Sequence, residues 1–399
     1  MSPLLRRGGT AEREPRPVRV PPLLLEALRD GAVPLRTDLT ETQAQPGGLT
    51  VAVVIPQFRK GSGGHRTIAD LVRGLEARGH AISLWVADEE GRHDGQSDAD
   101  LRELFSRFFG RLSAPVARLP ISADGTISGA TPGDVDVLLA TGWQTVPAVL
   151  RLPGARARAY LVQDHEPEFY ATSAEREWAT WTYSQGLHCI CASPWLAQTV
   201  EAAYGATASS FDLGVDHEHY LPLPTHRRDD LVLFYARAVT PRRATALGVL
   251  ALQELHRRRP DVEIALFGES RKLATPFPHR HLGVLAPDKL AHAYASSTVG
   301  LVLSLTNPSL VPTEMLACGL PVVDVASKSM TATFGDEGPI TLAPAHPLGI
   351  TDAIEGLVDD LLKRAEKSRL GTALASTRTW ARAAEQVEVG LRRALTSVR

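Results

Sequence analysis

From Leu49 onward the chain alternates short runs of β-branched and aliphatic residues with stretches whose apolar positions recur at helical spacing. That alternation restricts it to α/β architectures with parallel sheets. The first unit reads TVAVVIP, then GHRTIADLVRGLEARGH with Ile68, Leu71, Val72 and Leu75 on one helical face, then AISLWVA. It predicts a strand, a crossover helix and a second strand. Further strands are expected at Val135 to Thr141, Ala157 to Gln163 and His188 to Ser193, with a helix from Ser173 to Gly186. Their almost continuous apolar character suits strands covered on both faces. A second series begins at Asp230 to Ala236 and continues through VEIALFG, HLGVLAP, VGLVLSL and PVVDVAS. Between the two lies LPLPTHRRDD, Leu221 to Asp230, whose prolines and charges mark a boundary. The expected organisation is an α/β protein of two doubly wound parallel-sheet domains, 49–222 and 223–378. A Pro-, Arg- and Gly-rich tail or docking segment over 1–48 precedes them, with one amphipathic piece from Pro22 to Arg29. A terminal helix within 379–399 carries Trp380, Ala384, Val387, Leu391 and Leu395 on one face.

Charge narrows the function classes. There are 43 Lys and Arg against 45 Asp and Glu, a formal net charge of -2, so the chain has no global basic field for nucleic acid. The arginines at Arg227-Arg228 and from His256 to Arg259 read as solvated faces. A 44% hydrophobic and 22% charged composition excludes disorder over most of the length. Three cysteines, two of them at Cys189 and Cys191 in one strand, lack the second pair that a zinc site needs and are expected to be reduced thiols of a cytosolic protein. No apolar run is long enough to span a membrane, and Arg6-Arg7 is followed by polar residues where an export signal needs an apolar core.

Ligands of parallel sheets sit beyond the carboxyl ends of the strands, which directs attention to four loops. Pro56 to Arg66 (PQFRKGSGGHR) carries glycines at 61, 63 and 64, a spacing unlike the dinucleotide fingerprint but suited to main-chain approach to an anion. Gln163 to Tyr170 (QDHEPEFY) concentrates Asp164, His165, Glu166 and Glu168, groups able to manage a hydroxyl proton. Arg237, Arg242 and Arg243 follow the first strand of the second series, where guanidinium groups beside a helix start would hold a diphosphate. In Ser304 to Ser327, Asn307 and Ser309 are cap formers ahead of an apolar helix that Glu314 is expected to begin, and its carboxylate suits a ribose diol.

This last segment resembles the nucleotide-sugar signature of family 4 glycosyltransferases of the GT-B fold. Glu314-Met315-Leu316-Ala317-Cys318-Gly319-Leu320-Pro321-Val322-Val323 is similar to their E-A-M-A-C-G-x-P-V-V. The N-P-S-L-V-P-T-E-M lead, and Gln163-Asp164-His165-Glu166-Pro167 followed by Phe169-Tyr170, resemble the variant in bacterial rhamnosyltransferases that build S-layer or cell-surface rhamnans. With Gly63-Gly64, Gly214-Val215-Asp216, the Arg237 and Arg242 pair and Trp380, the resemblance covers about Leu49 to Leu395. One departure stands out. Most relatives carry a second glutamate eight residues before the position of Glu314, where this chain has Thr306, and the rhamnose variant lacks it too.

The resemblance implies a GT-B architecture of two Rossmann-like domains facing a cleft, with the terminal helix packing back on the first domain. It implies a retaining hexosyltransferase without cofactor or metal, using a nucleoside-diphosphate sugar, dTDP-rhamnose in the favoured form, and a glycan or lipid-linked acceptor. Glu314 would bind the donor ribose, and Asn307, Ser309, Leu310 and Val311 would offer amides to the diphosphate. Arg237 and Arg242, with Arg243, would neutralise the departing nucleotide. Gly63 and Gly64 would close on the phosphates, Gly268 would border the nucleotide, and Asp164, His165 and Glu166 would orient the acceptor hydroxyl. The D-x-D look-alikes at Asp134 to Asp136, which opens a strand, and Asp98 to Asp100, read as a polar loop, are not expected to bind metal. The protein is expected in the cytoplasm, as monomer or homodimer, with contact between its tail and the inner membrane face left open. Two alternatives remain at this stage: a nucleotide-sugar epimerase of the same architecture and a non-catalytic glycan-binding or scaffold subunit.

Overall fold

The computed structural model describes residues 20–37 and 47–397. The arginine-rich start of the tail lies outside the described residues.

The first sheet contains β1 (Thr50–Pro56), β2 (Ala81–Asp88), β3 (Val116–Pro120), β4 (Val135–Ala140), β5 (Ala155–Val162), β6 (His188–Cys191) and β7 (Ala208–Ser210), in the order β3-β2-β1-β4-β5-β6-β7. The second contains β8 (Leu231–Tyr235), β9 (Glu263–Phe267), β10 (Arg280–Gly283), β11 (Val299–Leu301), β12 (Val322–Val325) and β13 (Ile340–Ala343), in the order β10-β9-β8-β11-β12-β13. Each pairing within these sheets is parallel. Both sheets reverse direction once, between β1 and β4 and between β8 and β11, and a crevice opens beyond the strand ends at such a switch point. β3, β7 and β13 are strands that the apolar runs did not reveal. VARLP and ASS mix polar residues into short strands at or next to a sheet edge, where one face is solvated.

Each sheet is covered on both faces, which is why its strands read as unbroken apolar runs. Val51, Val53 and Ile55 point into one core with Ile68, Leu71 and Phe105, while Ala52 and Val54 face another with Val146 and Val149. The helix Trp380–Thr396 crosses back to the first domain and buries Ala383, Ala384, Val387, Leu391 and Ala394 there. The crossing is pinned by a bridge between Val215 and Thr379, and Gly214 is required because a Cβ there would lie 2.6 Å from the Trp380 ring.

Part of the N-terminal tail is built into the fold. The helix Pro22–Asp30 buries Leu23, Leu24 and Ala27, and Val33 and Arg36 donate their amides to Leu150 O and Ala155 O. The segment 98–100, read as a polar loop, instead opens the helix Asp98–Phe109, where Ser97 and Asp100 form a capping box. Arg227, read as a solvated face, is partly buried and donates to the carbonyls of Ser297 and Cys318. The three cysteines are free and buried.

Candidate functional site

The loops beyond the strand ends of the two sheets meet, and Asp164 is where they are tied most closely. It follows β5 and is 6% exposed. Its Oδ2 accepts from Arg242 Nε at 2.8 Å and Thr306 Oγ1 at 3.1 Å. Its Oδ1 accepts from the amides of Asn307 at 3.0 Å and His165 at 2.9 Å. Three of these four donors belong to the second domain. Arg242 also lies over the Phe169 ring, 4.1 Å from its centroid.

Asn307 forms a second tie. Its Nδ2 donates to Gln163 O and Ala192 O, both at 3.1 Å, and its Oδ1 accepts from Ser193 Oγ at 2.6 Å. Asn307 is therefore not a helix cap. The cap position belongs to Ser309, whose hydroxyl makes no capping bond and is buried without a hydrogen-bond partner. Leu310 and Val311 are the first two residues of the helix Leu310–Ala317, and Glu314 is its fifth rather than its start. The amide of Asn307 is committed to Asp164, which leaves those of Ser309, Leu310 and Val311 at the helix start to meet an anion.

The arginines lie where the sequence placed them, at the switch point beyond β8. Arg237 makes one long bond, 3.4 Å, to Gly268 O. Gly268 has φ +94°, and a Cβ would meet Tyr235 at 2.6 Å, so this turn accepts only glycine. Pro241–Arg243 is a 3-10 turn, and Ala244 at φ 41° turns the chain into the helix Thr245–Arg258. Arg243 is 5% exposed and donates to Ser304 Oγ and Asn307 O, which makes it a support for the loop carrying Asn307.

The acidic loop does not gather its groups onto one point. Asp164 faces the second domain, and His165 bonds Tyr204 OH at 2.7 Å beside the stacked pair of Tyr183 and Tyr204. Glu166 turns inward to accept from the amide of Trp143 at 2.7 Å. Desolvation pushes Glu166 up to about 7 and His165 down from its ordinary value. In the same domain, Gly63 begins the helix Gly63–Ala77 with nothing within 4 Å of where a Cβ would stand, and Gly64 lies against Gln163. The one glycine of this loop whose backbone needs the left-handed region is Gly61, at φ +78°.

Glu314 is half-buried, and Tyr294 OH donates to its Oε2 at 3.4 Å. Desolvation pushes this carboxyl up to about 7 against the hydrogen bond from Tyr294 and the positive charge of Arg66, which pairs with Asp216 at 3.2 Å. Burial likewise raises Asp324 in β12 to about 7. With Glu166 this makes three carboxyls that hold a proton in the folded chain up to about pH 7 but lose it near the ordinary 3.8 or 4.5 when unfolded. Unfolding between those values releases their protons, so the contribution of these carboxyls to stability falls as pH rises through that window, against the desolvated His65, His165 and His188, whose lowered values act in the opposite direction. Between about pH 5 and about pH 7.5, Glu314→Gln is expected to lose less melting temperature, or gain more, than wild type. Thermal melts of both proteins at the two pH values check this; an identical pH dependence of the two refutes it.

Several contacts escaped the sequence: Phe169 beneath Arg242, Thr306 on Asp164, Tyr294 on Glu314, and the Arg66–Asp216 pair. Each is a contact between segments far apart in the chain. Among the described residues there is no group of three or more His, Cys, Asp or Glu arranged to hold a metal ion, and no helix is long and apolar enough to cross a membrane.

Comparison with known proteins agrees with this geometry. Residues 230–355 match a family model described as the C-terminal domain of WsaF. An O-antigen biosynthesis protein, RfbC of Myxococcus xanthus, is 31% identical over 335 residues, covering 78% of this chain and 26% of that protein. A D-inositol 3-phosphate glycosyltransferase of Paenarthrobacter aurescens is 28% identical over 225 residues, 49% of this chain and 54% of that one. The chain thus spans about a quarter of the first relative and about half of the second. Among solved structures, Anabaena HepE in complex with UDP and glucose superposes with a TM-score of 0.64 at 16% identity, over 86% of this chain and all of that one. The architecture is the GT-B fold of that solved structure.

Proposed function

We propose that this chain transfers a hexose from a nucleoside-diphosphate sugar to a glycan or lipid-linked acceptor, with L-rhamnose from dTDP-rhamnose as the favoured donor. The observation that carries the reading is the convergence at one switch point of Arg237 and Arg242 with the start of the Glu314 helix. That combination supplies cationic and main-chain donors for a diphosphate and a carboxylate for a ribose diol. The orphaned Ser309 hydroxyl adds a buried polar atom suited to a ligand oxygen. HepE, of the same fold, is solved with UDP and glucose.

In this reading guanidinium charge stabilises the leaving diphosphate, a task that needs neither a cofactor nor a metal ion. The acceptor attacks from the face the nucleotide leaves, a diphosphate oxygen takes its proton, and anomeric configuration is retained without a protein nucleophile. The favoured sugar rests on Thr306 and the flanking N-P-S-L-V-P-T-E-M segment, and the O-antigen role of RfbC supports a surface-polysaccharide acceptor. The reaction is assigned to the cytoplasm, at or near the membrane's inner face. A thermal-shift screen of dTDP, UDP, GDP and dTDP-L-rhamnose tests the reading, because a ligand that binds only the folded state raises its melting temperature. The expected result is a selective shift that Glu314→Ala abolishes. No shift with any nucleotide in folded protein would favour the scaffold alternative.

A further inference from the structure

We propose that Asp164 is the resting counter-anion of the diphosphate cradle, holding the position of a donor phosphate oxygen and giving way when a nucleoside diphosphate binds. This rests on the proposed function, since it assigns the same cradle to a diphosphate. The donors around Asp164 are those a phosphate recruits: a guanidinium from Arg242, a hydroxyl from Thr306 and the main-chain amide of Asn307 just before the Leu310–Ala317 helix. Together with the amide of His165 they occupy both carboxylate oxygens. An internal anion thus sits in a built anion site and joins the domains through it.

The exchange is chemically reasonable. A diphosphate brings more negative charge and more acceptor oxygens to Arg237, Arg242 and the free amides at Ser309, Leu310 and Val311 than one carboxylate does. Asp164 satisfies Arg242 through Nε alone, and the guanidinium lies over Phe169, so the terminal nitrogens can turn to a ligand without moving the side chain far. Residue 306 fits the same scheme. A hydroxyl there donates to Asp164, whereas a carboxylate there would confront a like charge in a buried place. Thr306 and Asp164 therefore belong together.

Two consequences follow. Competition with Asp164 lowers the apparent affinity for the donor, as a conformational tax does. Once displaced, Asp164 becomes a carboxylate freed at the acceptor side of the cleft, so the donor binds before the acceptor.

The test is calorimetric titration of the full chain with dTDP and with UDP. Asp164→Asn is expected to bind the preferred nucleotide about tenfold more tightly than wild type, and to give no gain when combined with Arg242→Ala. Hydrogen exchange of the wild-type protein provides a readout independent of any variant: peptides spanning Gln163 to Glu168 should exchange faster when the nucleotide is added. Equal or weaker binding by a folded Asp164→Asn protein overturns the proposal, and so does slower exchange over Gln163 to Glu168. If wild type binds neither dTDP nor UDP, both this inference and its premise fail; if it binds with neither change, this inference alone fails.

Discussion

Replacing Arg237 by alanine is expected to lower the rate of sugar transfer roughly 10²–10³-fold, the effect of removing one donor aimed at charge that grows in the transition state. Stability should hardly change. The side chain is only partly buried and its one bond is the long contact to Gly268 O, so the fold loses little with it. The measurement is release of nucleoside diphosphate from the nucleotide sugar, with thermal melting as the control. A turnover deficit with an unaltered melting curve assigns Arg237 to the chemistry. A variant equal to wild type in both would remove Arg237 from the mechanism.

Asn307→Ala is expected to act in the opposite sense, on stability first, with a loss of about 2–4 kcal/mol from the buried groups it leaves unpaired. Truncation strips the partners from the carbonyls of Gln163 and Ala192 and from Ser193 Oγ, all of which the first domain contributes. The domains then lose one of their two ties beside Asp164 and should separate. Chemical denaturation measures the loss, and small-angle scattering should show a larger radius of gyration in the folded variant. An unchanged midpoint and radius would mean that solvent satisfies these groups and that Asn307 is no clasp.

The two substitutions illustrate which parts of the site were legible in the chain. The arginines could be found because a strand that ends in apolar residues and passes to Arg237, Arg242 and Arg243 leaves a cationic loop where ligands of parallel sheets bind. Asn307 was assigned the wrong local role, since Asn before a helix usually caps it. Capping is a contact of short range, and here three bonds to the first domain outweigh it. His165 and Glu166 show the same limit. Neighbours in the sequence and alike in chemistry, they are turned apart by a 3-10 turn, Glu166–Phe169, toward Tyr204 and Trp143.

What the sequence determined by itself was the layered α/β fold and the loops that face the cleft, because apolar periodicity and strand-end position are properties of local segments. It also singled out Glu314 and the three arginines, whose residue types announce the ligand they suit. The tertiary structure alone decided the partners: that Asp164 closes on Arg242 and Thr306 from the other domain, that burial raises Glu314 against the opposing Tyr294 and Arg66, and that residues 20–37 pack against the first domain. These contacts join residues from widely separated segments of the chain, and no local pattern encodes them. They exist only once two sheets have formed and their strand ends have been brought together.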